Sequence, residues 1–454
     1  MGCGAGGATA AQFARKTDRK ANITILEKDS YPQYSKCGLP YAISGEIPSF
    51  KDLIEFSEEW FKKSRIDLKL KTEVKQIDYS NRVVKAENEE ESFEKNFDSL
   101  IIATGAQPFI PPIENIKPEG NLVDGVFPVR TIDDAKNIAA YMENTKKVTV
   151  VGAGLIGLEM ADCLYKKEMD VTIVEALPDI LPNYLEKDMS SYVYKKIPDD
   201  IKIFTNSIVS KVETEDDKLS HIILEDKDED VDKKIETEIM VIATGNKPNT
   251  YLAEKIGCKV GDTGGIKVNS KSETSLEDVY AVGDCTEYQD FITQKPILVG
   301  LGSIAVRQGI AAGVNAAGGK YQLPSGALQT STSEFFNVEI SSVGSSPKSL
   351  EENNVTAKFS GSSLPEYFPG GKPVNIKIKV DEETETISSA QIVGKNAALR
   401  VNTYACAVLN QTKIDKFRKM ETAYAPPIAP TLDPLTLVCD IANMKLKRKK
   451  RRKT

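Results

Sequence analysis

The clearest pattern of hydrophobic and polar positions lies near the middle of the chain. The apolar run KVTVV at Lys147–Val151 predicts a buried strand, and LEMADCLYKK downstream has the periodicity of an amphipathic helix. The run VTIVE predicts a second buried strand that ends at Glu175. A glycine-rich turn, GAGLIG, joins the first strand to the helix and contains Gly152, Gly154 and Gly157. Together these segments predict a βαβ unit that binds a dinucleotide.

The glycines and the acidic residue of this unit have separate tasks. The glycines allow a tight turn and let a pyrophosphate approach the helix N-terminus, where backbone N–H groups favour an anion. The Glu175 carboxylate can accept hydrogen bonds from both ribose hydroxyls. Because ALPD follows Glu175, with no lysine or arginine to receive a 2′-phosphate, we expect NADH to be preferred over NADPH.

The same pattern opens the chain, but one strand is missing. GCGAGG contains Gly2, Gly4 and Gly7, the helix-like ATAAQFARK follows, and ITILE ends at Glu27. A dinucleotide-binding sheet normally has a strand before the glycine turn, near its centre, whereas this sequence begins at Met1. Either the true start lies upstream or this domain is compromised, and we expect the first.

Two further strands end in turns of small residues. SLIIATGAQP contains Ala103, Thr104 and Gly105, and MVIATGNKPN ends its turn at Gly245. Each strand follows a charged stretch, NEEESFEKNFD or EDKDEDVDKKIETE, that predicts a hairpin or a solvated connection. We expect each strand to close one dinucleotide-binding half.

The last third of the chain has a different organisation. VYAVGDC places Asp284 at the end of another strand, ahead of the glycine-rich helix LGSIAVRQGIAAGVNAAGG. From about Tyr321 the pattern changes to mixed strands, such as VNIKIKV, and helices, such as AALRVNTYACAVLNQ. This change predicts a separate α+β domain.

Composition fits an intracellular enzyme. The chain has 454 residues, of which 40% are hydrophobic and 28% charged, and no apolar run approaches the ~18 residues of a membrane helix. Met1 is followed by a glycine-rich turn rather than by a secretory signal. The 7 cysteines include no CxxC pair, so neither a disulfide framework nor a metal site is predicted. We expect a cytoplasmic protein without a membrane span.

The C-terminal run KLKRKKRRK, at Lys445–Lys453, contrasts with the net charge of -7. Such a run can bind nucleic acid or anionic lipid, but a disordered and solvated end is the interpretation that we favour.

Together, these motifs resemble the two-dinucleotide flavoprotein reductases over nearly the whole chain. The resemblance implies an α/β fold with Rossmann-like FAD and NAD domains and a C-terminal α+β dimerisation domain, hence a homodimer. The implied ranges are 1–115 and 246–320 for the FAD domain, 116–245 for the NAD domain, 321–440 for the dimerisation domain and 441–454 for the basic tail.

The resemblance also assigns FAD-binding residues. It implies that Gly2, Gly4, Gly7 and Glu27 hold the ADP half of FAD. Asp284 would bond the ribityl or phosphate portion of FAD. The helix that follows would direct the positive end of its dipole at the flavin.

The segment YSKCGLPYAISGEIP is similar to the single-cysteine branch of these enzymes, which includes coenzyme A disulfide reductases, persulfide reductases, NADH oxidases and NADH peroxidases. The similarity implies that Cys37 is redox-active, the alternative being a buried structural cysteine. ETAYAPPIAPTLDPL and EYFPGG likewise imply active-site roles for Tyr424 and Tyr367, although Phe368 stands where a relative often has tyrosine. A tyrosine packed beside a proline turn is the alternative for Tyr424.

A lone redox cysteine has two obvious two-electron oxidised forms, a mixed disulfide with a small thiol and a sulfenic acid. In the resembling oxidases and peroxidases, sulfenic acid chemistry accompanies a histidine in the first glycine turn, where this chain has Ala5. The only histidine, His221, lies in a charged stretch that predicts a surface hairpin. We therefore expect a disulfide or persulfide reductase in which Tyr424 replaces a histidine as the acid for the departing thiol.

Coenzyme A is the substrate thiol that the resemblance favours. It implies that Thr9, Lys16, Lys36 and Arg307 bind coenzyme A, although the cationic ones are also ordinary surface residues. Glu159 matches a residue that lies near the nicotinamide in relatives, or is a structural charge. The alternatives are an NADH oxidase, a ferredoxin-type reductase, and a flavin-binding protein with vestigial catalysis and a nucleic-acid-binding tail.

Overall fold

The structure is a computed structural model that describes residues 1–117, 120–226, 232–345, 350 and 353–453. Its α-helices are α1 (Ala5–Thr17), α2 (Leu39–Ser44), α3 (Glu58–Lys63), α4 (Ile132–Met142), α5 (Leu155–Lys166), α6 (Lys187–Tyr194), α7 (Tyr251–Lys255), α8 (Gly302–Ala316), α9 (Ala397–Leu409), α10 (Ile414–Phe417) and α11 (Pro434–Lys453).

The strands of the first half are β1 (Ile23–Leu26), β2 (Ile66–Lys69), β3 (Glu73–Asp78), β4 (Val83–Glu87), β5 (Ser92–Asn96), β6 (Leu100–Ile102), β7 (Ala106–Pro108), β8 (Val126–Pro128), β9 (Lys147–Val151), β10 (Asp170–Val174), β11 (Lys202–Phe204), β12 (Ser207–Glu215) and β13 (Lys218–Asp226).

The remaining strands are β14 (Lys233–Glu236), β15 (Ile239–Ile242), β16 (Asn246–Pro248), β17 (Ile266–Lys267), β18 (Val279–Ala281), β19 (Thr286–Gln289), β20 (Pro296–Leu298), β21 (Ser331–Phe335), β22 (Val338–Gly344), β23 (Asn354–Ser362), β24 (Pro373–Asp381) and β25 (Ile387–Gly394).

The second glycine turn lies in a complete parallel sheet. Its strand order is β11-β10-β9-β15-β8, so β9, which leads into the turn, is central. β9, β10 and β15 are almost continuously buried, as expected for a parallel sheet covered on both faces. The predicted βαβ unit is confirmed.

The first glycine turn has a sparser sheet around it. β1 pairs with β2 and β6 pairs with β18, all in parallel, as two separate pairs. Backbone hydrogen bonds link the pairs through the first residues: Gly2 N donates to Leu26 O at 2.8 Å, and Ala103 N donates to Met1 O at 2.8 Å. The backbone of Met1 and Gly2 therefore lies between β1 and β6, at the end of the position that a central strand takes.

The charged stretches before the two small-residue turns form antiparallel sheets. NEEESFEKNFD contributes to the β4–β5 hairpin of the β3-β4-β5 sheet. EDKDEDVDKKIETE contributes to β13 and β14, which pair with each other, and its segment 227–231 lies outside the described residues. His221 lies in β13, opposite Glu236, as the hairpin prediction requires.

The C-terminal part is an α+β unit around one antiparallel sheet of order β21-β22-β25-β24-β23. α9 packs on β22 and β25, and α11 packs on β23 and β24. The predicted fold class, with two dinucleotide-binding halves and a C-terminal α+β domain, is confirmed.

The prediction that the basic tail is disordered is wrong for residues up to Lys453, because α11 continues through it. The helix starts beside Asp433, whose carboxylate accepts a hydrogen bond from Leu435 N at 2.9 Å. It is anchored by buried side chains at helical spacing: Leu435, Val438, Cys439, Ala442 and Leu446. Ion pairs of Lys449 with Glu382 and of Lys450 with Glu385 offset part of its charge. The predicted boundary at 440/441 falls inside this helix.

Packing fixes the position of α2, the short helix after Cys37. Leu39 and Ile43 of α2 share one core with Leu158 of α5 and Phe335 of β21. The cysteine segment, the second dinucleotide-binding half and the C-terminal sheet thus meet in a single core.

Among the described residues, the helices are all too short or too polar to cross a membrane.

Candidate functional site

The two glycine turns have the same local geometry. Gly2 and Gly152 have positive φ angles, 95° and 105°, which residues with a side chain rarely adopt. A Cβ on Gly7 would overlap the carbonyl oxygen of Gly2, and a Cβ on Gly157 would overlap that of Gly152. The first and third glycines of each turn are therefore required by backbone contacts alone.

The middle glycine of each turn faces open space. A Cβ on Gly4 or Gly154 would meet nothing within 4 Å. Each of these glycines is the N-cap of its helix, α1 or α5, and no side chain caps either helix. Uncapped N–H groups beside open space suit a dinucleotide pyrophosphate.

Glu27 and Glu175 each accept a backbone hydrogen bond from their own glycine turn. Glu27 Oε2 accepts a hydrogen bond from Cys3 N at 2.5 Å, and Glu175 Oε2 accepts one from Ala153 N at 2.7 Å. The second oxygen of each carboxylate accepts a backbone N–H two residues further on, at 2.9 Å and 2.8 Å. Because each carboxylate oxygen has two lone pairs, both groups can still accept ribose hydroxyls.

The small-residue turns lie against these glycines and cross between the two halves. The carbonyl oxygen of Ala103 lies where a Cβ on Gly2 would be. Thr104 Oγ1 donates to Asn249 O at 2.7 Å, and the Asn249 amide donates to Thr104 O at 3.0 Å. Gly105 and Gly245 have φ angles of 62° and 104°. The backbone of the small-residue turn at Ala103 thus packs closely against the first glycine turn, as expected for a dinucleotide-binding site.

Asp284 is paired with an arginine that sequence reasoning missed. Arg130 Nη2 lies 2.7 Å from Asp284 Oδ2, and the two side chains are only 15% and 23% exposed. Arg130 precedes the capping box of α4, in which Thr131 and Asp134 bond each other's backbone, and Asp134 Oδ2 also accepts Arg130 N at 3.0 Å. The capping pattern is readable in the sequence, but the pairing with Asp284 is not.

Three buried polar atoms lack a hydrogen-bond partner among the described residues: Arg130 Nε, in this pair, Gln33 Oε1 and the Tyr34 hydroxyl oxygen. Unpaired buried polar atoms are rare in folded proteins and require a partner. A bound flavin nucleotide supplies such partners, so these residues fit the FAD implied by the glycine turn.

A cavity of about 140 Å³ lies where the three parts of the chain meet. Its lining includes Tyr184, Gly300 and Leu301, just before α8, and Ser342 and Gln391 of the C-terminal sheet. The cavity therefore lies at the N-terminus of α8.

Cys37 occupies a short 3-10 turn, Lys36–Gly38, directly before α2. Its side chain is exposed, whereas Cys3, Cys163 and the other cysteines except Cys406 are buried. Protein atoms nevertheless surround its sulfur enough that burial raises the pKa of the thiol; the charges of Glu159 and Asp284 raise it further, and Arg130 lowers it. Cys37 thus lies near the Arg130–Asp284 pair.

Glu159, whose charge also acts on Cys37, lies one turn into α5. The Ser333 hydroxyl donates to Glu159 Oε1 at 2.5 Å. Burial raises the pKa of Glu159, and the bond from Ser333 opposes this increase. Ser333 was also missed, because it lies in a different sheet, 174 residues away along the chain.

Tyr367 and Tyr424 are hydrogen-bonded to each other. Their hydroxyl oxygens are 2.6 Å apart, and this bond raises the pKa of Tyr367. Their exposures are 69% and 47%. Among the described residues, neither tyrosine forms a hydrogen bond with Cys37, and their bond to each other is the one that joins two of the three predicted catalytic residues.

The four residues predicted to bind substrate fall into two groups. Lys16 and Arg307 are exposed, on α1 and α8. Thr9 is buried where α1 packs against Gly309 of α8. Lys36 Nζ lies 5.8 Å from the centre of the Tyr34 ring, and burial followed by the Arg130 charge lowers its pKa. Lys36 therefore lies within reach of the Arg130 charge, and its contact with substrate stays a prediction.

Comparison with known families agrees with this geometry. The family of pyridine nucleotide-disulphide oxidoreductases matches residues 1–316, and the dimerisation domain of the same family matches residues 330–435. The chain belongs to this family. Membership implies FAD and NAD(P)H as cofactors, and the unpaired Arg130 Nε and the open glycine turns are compatible with them.

Related oxidoreductases cover the whole chain. It is 37% identical to a protein named NADH oxidase from Methanocaldococcus jannaschii, over 99% of both chains. It is 32% identical to a CoA-dependent NAD(P)H sulfur oxidoreductase from Pyrococcus abyssi, over 97% of both. The structure of an NAD-dependent persulfide reductase from A. fulgidus superposes with a TM-score of 0.92 at 32% identity, covering 98% of this chain and 82% of that one.

Proposed function

We propose that this oxidoreductase transfers electrons from NADH, through FAD and Cys37, to coenzyme A disulfide or a related disulfide or persulfide. The observation that carries the proposal is an accessible thiol at Cys37, beside the Arg130–Asp284 pair that borders the predicted flavin site. When bound, FAD supplies two-electron exchange between a nicotinamide and a sulfur.

The resting form of Cys37 in this proposal is a mixed disulfide with coenzyme A. Two electrons and one proton convert it to the Cys37 thiolate and free coenzyme A. The Cys37 thiolate then attacks coenzyme A disulfide, forms the mixed disulfide again and releases the second coenzyme A as a thiolate. One NADH therefore reduces one disulfide.

The acid for the departing thiolate is Tyr424, which hydrogen-bonds Tyr367. A phenol with a pKa near 10 can donate to, or stabilise, a thiolate of pKa ~8.5. Because both tyrosines are exposed and, among the described residues, neither bonds Cys37, the proposal assigns the tyrosine pair to a second subunit, in line with the matched dimerisation domain. A homodimer therefore completes each site.

Substrate and cofactor selection follow from charge. Lys16 and Arg307 are exposed cations that suit the phosphates of coenzyme A, and the P. abyssi relative is named as CoA-dependent. The Glu175 carboxylate, at the end of β10, repels a 2′-phosphate, so NADH is the proposed electron donor.

The proposal is tested by identifying the adduct on Cys37. Mass spectrometry of the oxidised protein should find coenzyme A, or a comparable thiol, on Cys37. Cys37→Ser should retain flavin and lose disulfide reduction by about a hundredfold or more, because the covalent route is gone. Cys406→Ser, at the other exposed cysteine, is the matched control and should leave the activity unchanged. A sulfenic acid on Cys37 instead would contradict the proposal.

A second candidate is an NADH oxidase that reduces oxygen, favoured by the name of the M. jannaschii relative. Turnover numbers with coenzyme A disulfide, polysulfide and oxygen separate the two functions. Oxygen as the best acceptor, with activity retained in Cys37→Ser, would select the oxidase.

A further inference from the structure

A hydroxyl–carboxylate bond crosses from the C-terminal sheet to the second dinucleotide-binding half. Ser333 lies in β21, one of the two edge strands of the C-terminal sheet, and Glu159 lies in α5. The Ser333 hydroxyl donates to Glu159 Oε1 at 2.5 Å, and a hydrogen bond from a hydroxyl favours the ionised carboxylate. This bond connects two parts of the chain at the redox cysteine.

Titratable groups from three other segments face the Glu159 carboxylate. They are Cys37, Tyr41 of α2, and Tyr184 in the segment before α6, and the charge of Glu159 raises the pKa of each beyond the larger effect of burial. Among the described residues, no lysine or arginine pairs with Glu159, so Ser333 is the group that stabilises its charge.

Packing holds the carboxylate and the thiol in place. α2, α5 and β21 share a core that contains Leu39, Leu158 and Phe335. Because close-packed cores resist displacement, loss of one hydroxyl should change the charge of Glu159 before it changes its position.

We propose that Ser333 is a positioning residue that keeps Glu159 ionised beside Cys37, so that the C-terminal domain controls how readily the Cys37 thiol loses its proton. The proposal rests on the redox role proposed for Cys37. It assigns to the C-terminal domain an effect on its own chain, in addition to dimerisation.

The charges around the Cys37 thiol determine the direction in which its pKa changes. A hydrogen bond to the ionised form favours ionisation of Glu159, and a nearby negative charge disfavours the Cys37 thiolate. Asp284 acts on Cys37 in the same direction, and Arg130 acts against it. Without the Ser333 hydroxyl, Glu159 protonates at higher pH, Cys37 loses a negative neighbour, and its thiolate forms at lower pH.

The test is the pH dependence of Cys37 alkylation by iodoacetamide in the flavin-loaded, reduced protein, followed by mass spectrometry. Ser333→Ala should lower the midpoint by up to about one pH unit and raise the rate at neutral pH several-fold. Ser333→Thr, which keeps a hydroxyl, should restore the original midpoint. Ser331→Ala removes a hydroxyl in the same strand that bonds Ser342 instead, at 2.9 Å, and should not shift it.

A double variant separates charge from packing. Glu159→Gln should lower the midpoint at least as far as Ser333→Ala, and adding Ser333→Ala to it should have no further effect. An unchanged midpoint in Ser333→Ala would overturn the proposal, as would an equal shift in the Glu159→Gln background. Alkylation requires no disulfide substrate, so failure of the proposed reductase activity would leave this result distinct.

Discussion

The two dinucleotide-binding halves have nearly identical glycine turns in very different sheets. Gly2, Gly7 and Glu27 repeat the contacts of Gly152, Gly157 and Glu175. The second turn follows the central strand of a five-stranded parallel sheet, whereas two separate two-stranded pairs flank the first. The backbone contacts of the turn itself, and those with the small-residue turn beside it, are therefore sufficient to define its shape.

The halves also differ in the charged groups that they place near Cys37. The first half is bordered by the Arg130–Asp284 pair, which crosses between the halves. At the second half, Glu159 is held by a neutral hydroxyl. Charges from both groups act on Cys37, so the comparison predicts that changes on either side alter the pKa of its thiol.

The largest effect should come from filling the third glycine of each turn. Gly7→Ala should abolish flavin binding, because the added Cβ overlaps the Gly2 carbonyl oxygen. Gly157→Ala should retain flavin and weaken NADH binding by at least about tenfold, which corresponds to ~1.4 kcal/mol. Flavin absorbance and NADH titration measure the two outcomes, and each variant is the control for the other. Full flavin occupancy in Gly7→Ala would show that the two glycine turns do not have equivalent roles.

The next effect concerns the Arg130–Asp284 pair. Arg130→Ala leaves Asp284 partly buried and unpaired, and should lower the free energy of unfolding by about 3 kcal/mol and reduce flavin occupancy. Arg82→Ala removes a similar pair with Asp278, at 2.8 Å but 39% and 41% exposed, and should cost about 1 kcal/mol or less. Chemical denaturation of both variants measures the difference. Equal losses would show that the Arg130–Asp284 pair has no special role.

The smallest effect concerns nucleotide selection at the ends of β1 and β10. Glu175→Ala combined with Ala176→Arg should move the NADPH-to-NADH preference by about tenfold, since a repelling carboxylate is replaced by a cation. Glu27→Gln, at the matching position of the first half, should leave this ratio unchanged. Values of kcat/KM with both nucleotides give the answer, and an unshifted ratio in the double variant would reject Glu175 as the selecting residue.

Patterns within short stretches of sequence predicted those elements whose conformation depends mainly on neighbouring residues. The βαβ unit around Gly152 follows from apolar runs and glycine spacing, and so does the α/β class. Arg130 and Ser333 were not predictable, because their partners are 154 and 174 residues away along the chain and only the assembled core brings them together.

The error at the C-terminal tail has the same physical origin. The basic run was interpreted as a solvated end because like charges repel. Glu382 and Glu385, far away along the chain, pair with Lys449 and Lys450, and Leu446 packs into the core. Whether a run of like charges is ordered therefore depends on the charges and apolar side chains of the surface against which it packs.

The central claim is that Cys37 is a redox centre in addition to the flavin, and anaerobic titration with NADH tests it most directly. The oxidised protein, followed by flavin absorbance, should consume more than one NADH per flavin before reduction is complete, and Cys37→Ser should consume only one. If the protein with Cys37 intact, first incubated with coenzyme A disulfide, consumed only one NADH per flavin, the result would contradict the account.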